Sequence, residues 1–144
     1  VNLFNLVKLP LAFLGGVRVS AISDTEVVVA IKHRWMNQNP FNSMFWAAQG
    51  MAAEMTTGVL VMKAISDSKL KCSMLVTSQE AQFFKKATGR ITFSCKGGKE
   101  IKEAINKSKK NGEGQVIVLT SEGKNNDGVV VSRFQFHWSL RVKK

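Results

Sequence analysis

Glu54 is the residue whose surroundings most plainly suggest chemistry. It lies near the end of an otherwise apolar run from Asn37 to Gly58, NQNPFNSMFWAAQGMAAEMTTG. A helix apolar all round belongs in an interior, and an ionised carboxylate placed there without a partner is costly. Glu54 must therefore turn into a cleft, find a partner, or carry a raised pKa. Each outcome marks a site. At 100° per residue, Ser43, Ala47, Gly50, Glu54 and Thr57 share one stripe of this helix, and the side chains preceding Glu54 are small. Small residues there can open a groove for a ligand, or can allow close packing on a sheet. Gly50 inside a helix costs about 1 kcal/mol relative to alanine, so it has a reason of one kind or the other.

A second polar stripe, Asn42, Gln49 and Thr56, lies about 140° from Glu54. Gln49 and Glu54 therefore do not converge on one atom within a single chain, although they can form two walls of a cleft between subunits. Asn39 precedes the helix and can approach from the adjoining strand end. The helix start supplies backbone N–H groups suited to polarising a carbonyl oxygen.

Other chemistries leave little trace. There is no GxSxG, P-loop, GxGxxG or HExxH pattern, and no metal-ligand spacing among two cysteines and two distant histidines. Cys72 and Cys95 read as buried free thiols. His137, between Phe136 and Trp138, reads as a packed strand residue. No cofactor is implied.

The elements that must position these residues follow from patterning. Asn2 to Leu14 has helical spacing interrupted by Pro10 and closed by Gly15-Gly16. Val17–Ser23 and Glu26–Trp35 read as a hairpin about Ser23-Asp24-Thr25. Asn42 or Ser43 can cap a helix over about Ser43–Thr57, ended by Gly58, and Gly58–Met62 either extends it or begins a strand, one further helical turn being favoured. Strand-like runs follow over Leu70–Ala87 and Arg90–Lys96, then a basic helix over Gly98–Ser108. Gln115–Thr120 and Gly128–Arg141 close the chain as strands about a turn at Gly123–Gly128. Helix, two strands, long buried helix and four more strands is not the alternation of a doubly wound sheet. It predicts an α+β protein in which an antiparallel sheet wraps one central helix. A single domain over 1–144 is expected.

The formal net charge is +11. Between Lys85 and Lys110 nine Lys or Arg stand against Glu100 and Glu103, a net +7. This points to an anionic partner or substrate, or to a solubilising lysine face. Nucleic acid is disfavoured because no reading motif or arginine-rich, aromatic-interleaved patch occurs. No stretch is apolar enough to span a membrane, the opening residues fit a signal peptide poorly, and a cytoplasmic location is expected. The last strand, VVVSRFQFHW, is a candidate edge buried at a contact in a homodimer or homotetramer.

The pattern Asn39-x3-Ser43-x3-Ala47-Ala48-x5-Glu54-x3-Gly58, with this strand order, resembles the hotdog fold of acyl-CoA thioesterases. The branch it looks most like is uncharacterised and related to phenylacetate-pathway-type enzymes. The resemblance implies a curved sheet around the helix, subunits paired edge to edge, and an acyl-CoA site between them. It matches Glu54 to the family's helix carboxylate, base or nucleophile in thioester hydrolysis, and Asn39 to a polar loop residue. Gly58 matches the helix end. The family's usual His or paired glycines near the helix start are replaced here by Phe45 and Trp46. The implied chemistry has Glu54 activating water and backbone N–H near Ser43 and Met44, with the Asn39 or Gln49 amide, holding the oxyanion. Asn42 and Gly50 belong to the substrate groove. Phe45, Trp46, Phe83 and Phe84 would cover the acyl chain, and Lys85, Arg90 and their neighbours would attract phosphate. The alternative is a non-catalytic acyl or acyl-CoA binding module that kept the groove.

Overall fold

A computed structural model describes residues 1–143. Two short helices, α1 (Asn2–Lys8) and α2 (Pro10–Leu14), open the chain, with the break at Pro10. The hairpin β1 (Arg18–Ile22) and β2 (Val27–Lys32) follows. Then come α3 (Trp46–Ser68), β3 (Cys72–Phe83), β4 (Arg90–Cys95), α4 (Gly98–Asn111), β5 (Gln115–Lys124) and β6 (Val130–Val142). All six strands join one antiparallel sheet in the order β1-β2-β4-β5-β6-β3. The sheet wraps α3, whose buried Ala48, Ala52, Ala53, Leu60 and Val61 meet Val29, Ile31, Ile91, Phe93 and Phe134 in one core. That is the expected α+β arrangement.

Several boundaries differ from the sequence reading. Trp35 leaves the strand for a single 3₁₀ turn, Trp35–Asn37. Asn42 and Ser43 do not cap α3. Asn42 occupies a left-handed turn at φ 59°, and the helix starts three residues later with Phe45 at the N-cap and no side-chain cap. Asn39 is the cause: its Oδ1 accepts from the N–H of Phe41 (2.9 Å) and of Ser43 (3.2 Å), which folds the loop back on itself. Gly58 does not end the helix. α3 runs 23 residues, about 35 Å, because Leu60, Val61 and Ala64 bury beyond it and outweigh the glycine penalty. It ends at Lys69, which takes the left-handed conformation.

The turn read at Gly123 also lies later in the chain. β5 continues to Lys124, since a Cβ on Gly123 would sit 2.5 Å from the Phe93 ring; this glycine permits close strand packing. β6 is not an edge. It lies between β5 and β3, and the free edges are β1 and β3. An apolar alternating strand satisfies interior placement as well as interface burial, so pattern alone does not separate the two.

Candidate active site

The sheet does not close around α3. Between its free edges a seam remains, and α1 and the linker after it lie over that seam. A cavity of about 620 Å³ occupies this place. Its floor is α3 (Glu54, Met55, Gly58, Met62), its walls are Ile22 of β1, Met74 of β3 and Trp138 of β6, and its roof is Phe4, Asn5 and Leu9. Glu54 is half-buried here. Among the described residues its carboxylate takes part in none of the ion pairs or side-chain hydrogen bonds.

Lys63 lines the same cavity but is spoken for. Its Nζ lies 2.9 Å from Asp24 and 2.8 Å from Asp67, and these two carboxylates, Asp67 foremost, push its pKa up to about 12. Glu54 is left to its apolar walls. Burial, with no compensating cation, raises its pKa above the ordinary carboxylate value.

The backbone that carries Glu54 is clamped. The Thr57 hydroxyl donates to the Glu54 carbonyl at 2.8 Å and accepts from the Trp138 indole N–H at 2.9 Å. Gly58 leaves room beside the acid, since a Cβ there would stand 3.7 Å from Glu54 Oε1 and 3.6 Å from the Trp138 ring.

Most other candidate residues gather elsewhere. Asn39, Ser43, Met44 and Gln49 line a second cavity of about 500 Å³ at the start of α3. Phe45, Trp46, Phe83, Phe84 and Lys85 form its remaining walls. Asn42, Gly50 and Arg90 line neither cavity. Gly50 instead faces Phe134, where a Cβ would meet the ring at 3.5 Å, so this part of the small-residue stripe packs on the sheet. One chain therefore divides the candidates into Glu54 on one side and the loop and helix start on the other, as the angular separation of Gln49 and Glu54 requires.

The expected oxyanion donors are occupied. The N–H of Met44 donates to the Ala87 carbonyl at 2.8 Å, and that of Ser43 to Asn39. The donors left at this end belong to the uncapped first turn of α3, Trp46 to Ala48. Asn39 also exchanges hydrogen bonds with the Ser43 hydroxyl and organises the loop. Gln49 is buried; its Nε2 donates to the Met44 carbonyl at 3.3 Å while its Oε1 has no partner. That free atom accepts, so it suits a ligand N–H or O–H rather than an oxyanion.

Sequence reasoning missed the roof and walls of the Glu54 cavity. No sequence signal marked them, because in α1 Asn5 is buried with its amide on the Met55 sulfur at 3.2 Å while most apolar neighbours are exposed, the reverse of what polarity predicts. Val1, Phe4, Asn5 and Leu9 line the Glu54 cavity. No group of His, Cys, Asp and Glu suited to a metal occurs among the described residues. Burial raises both thiols, Cys95 in the core and Cys72 partly exposed.

A family model described as a domain of unknown function, DUF4442, matches residues 6–140. The chain belongs to the DUF4442 family. No curated protein matches it. Among solved structures, this DUF4442 chain is similar to a Pseudomonas aeruginosa protein of unknown function described as a probable thioesterase. The two are 19% identical over 96% of this chain and 93% of the other, with a TM-score of 0.83. A Chlorobaculum tepidum protein of unknown function is 16% identical over 99% and 92%, with a TM-score of 0.85. A thioesterase enzyme of Staphylococcus aureus, solved as a glutamine-to-alanine variant, is 14% identical over 87% and 93%, with a TM-score of 0.64. At such identities the likeness concerns the fold, and the fold is the hotdog fold. No helix among the described residues is long and apolar enough to cross a membrane.

Proposed function

We propose that this DUF4442 protein hydrolyses acyl thioesters, with Glu54 as the base. The observation that carries the reading is an unpaired, half-buried carboxylate in an apolar cavity large enough for an acyl chain. Such a site binds an apolar group and holds next to it an acid whose pKa is shifted toward neutrality, where a general base works best. Neighbours of the same fold, one described as a probable thioesterase and one as a thioesterase enzyme, support the choice of substrate.

In the proposed reaction, ionised Glu54 takes a proton from water as its oxygen attacks the thioester carbonyl. The C–S bond then breaks, the proton passes to the departing thiolate, and a carboxylic acid and a thiol leave. Met55, Met62, Met74 and Trp138 would hold the acyl chain and keep bulk water out.

The donors for the oxyanion are not beside Glu54 in its own chain. The reading therefore includes a second copy, paired along the twelve-residue free edge of β3. The uncapped α3 start of that copy would face the acid across the contact, in a cleft shared by two subunits. Lys85 and its neighbours, at the second cavity, would attract the phosphates of a CoA-like thiol.

Glu54→Gln tests this reading. It should lower thiol release from acyl-CoA substrates by at least about a hundredfold, with an unchanged thermal transition at acidic pH. Equal rates in the variant and the parent would remove Glu54 from the mechanism. The same separation of acid and donors favours a second reading, a module that binds acyl groups without turnover. Calorimetric binding of acyl-CoA with no thiol released by any acyl-chain length would select it.

A further inference from the structure

One end of the sheet carries exposed apolar side chains and cations that make no ion pair among the described residues. The Arg34 guanidinium donates to the Leu14 carbonyl at 3.3 Å, and the Asn37 amide donates to the Gly15 carbonyl at 2.9 Å. These bonds set the Trp35–Asn37 turn against the end of α2. Leu11 and Leu14, one turn apart on α2, and Trp35 and Met36 are exposed on the two segments so joined. Trp35 is 79% exposed and Leu11 73%, and Phe41, 71% exposed, lies just past Pro40.

The cations belong to the same end. Lys32 and Arg90 are exposed cross-strand partners at the ends of β2 and β4. Like charges directly opposite repel, so an anion placed between them relieves the pair. Arg34 follows Lys32, while Lys85 and Lys86 enter from the β3–β4 connection, which is tied here by the His33 N–H on the Gly89 carbonyl at 2.7 Å. None of these five cations makes an ion pair among the described residues. Asp24 and Glu26 sit at the opposite end of β1 and β2, where Lys63 and Lys96 face them, and Glu80, five residues before Lys85 on β3, pairs with none of the five among the described residues.

We infer that this end docks on an anionic lipid surface, with Leu11, Leu14, Trp35 and Met36 in the headgroup region and Lys32, Arg34 and Arg90 on lipid phosphates. Aliphatic and indole groups framed by cations are what such an interface takes. A second copy fits poorly, because a two-fold contact sets a patch against itself and would bring Lys32, Arg34 and Arg90 up against the same cations of the other copy. A nucleic acid would use the cations but leaves Leu11, Leu14 and Met36 nothing to stack on. The inference does not depend on the chemistry proposed for Glu54.

Co-sedimentation of the full chain with vesicles tests it. Binding is expected to vesicles of mixed phosphatidylglycerol and phosphatidylcholine at about 0.1 M salt, and to weaken steeply toward about 1 M. Vesicles of phosphatidylcholine alone should bind at least about tenfold less. Trp35→Ser with Leu11→Ser, both exposed, and separately Lys32→Gln with Arg90→Gln, should each lower binding about tenfold or more without lowering the thermal transition. The inference is overturned by absence of sedimentation, or by binding indifferent to the serine variants. It is also overturned if those variants convert an oligomer to a monomer in light scattering, or if the parent binds single-stranded RNA and no vesicle. Loss of thiol release in Glu54→Gln leaves vesicle binding in place, so the two readings fail separately.

Discussion

The indole N–H of Trp138 donates to the Thr57 hydroxyl at 2.9 Å, and that hydroxyl donates in turn to the Glu54 carbonyl at 2.8 Å. The sheet wall of the cavity is thus fastened to the helix turn that bears the acid. Thr57→Val keeps the shape but strips the acceptor, leaving a buried indole donor unpaired. Thermal and urea unfolding should show a loss of about 1–3 kcal/mol. Ligand affinity in the cavity should fall with it, and Thr57→Ser should restore both.

Glu54 makes stability depend on pH with a definite sign. Its pKa is raised in the folded chain, so the folded state holds the proton more tightly than the unfolded one. Stability is greatest below the ordinary carboxylate range and falls as pH rises from there through the raised native value. Glu54→Gln, which cannot ionise, should match the parent in acid and exceed it at neutral pH in paired melting curves. Thiol release by the parent should rise through the same window as the base ionises.

Gly58→Ala should stabilise the chain by up to about 1 kcal/mol, since the helix gains propensity and the added methyl meets only ordinary contacts. The same methyl narrows the space beside Glu54 Oε1. Calorimetry should therefore show weaker acyl-ligand binding in a protein that melts higher.

Gln49→Met removes a buried acceptor that nothing among the described residues satisfies. Unfolding should change by less than about 1 kcal/mol, because the loss of the bond to Met44 is offset by removal of the orphan oxygen. If that oxygen reads a ligand donor, affinity should fall about tenfold at unchanged stability.

Asn39→Ala should act on structure. It deletes the acceptor shared by the Phe41 and Ser43 N–H groups, at a cost of about 1–2 kcal/mol. Hydrogen exchange should speed up from Asn39 to Phe45 while β4 and β5 stay protected.

The fold was legible because its signals are local and mutually consistent. The alternation in β4 and β6, the break at Pro10 and the apolar run through α3 each specify an element, and together they admit one layer arrangement. Boundaries were less legible where a tertiary contact outweighed a local preference. Gly58 reads as a stop, but Leu60 and Val61 bury beyond it; Gly123 reads as a turn, but the Phe93 ring needs it flat.

At the site, sequence periodicity identified Glu54 as an acid in an apolar helix and placed Gln49 on a different side of that helix. Which walls surround each was decided by the chain's return in space. Strand order brought Met74 and Trp138 beside Glu54, the opening helix roofed it, and Lys63 was drawn off by Asp24, thirty-nine residues earlier in the chain. Helical angle is a property of neighbours along the chain, whereas a cavity and the pairing of a charge are properties of residues distant along it; the first is written in spacing, and the second exists only once the sheet has wrapped.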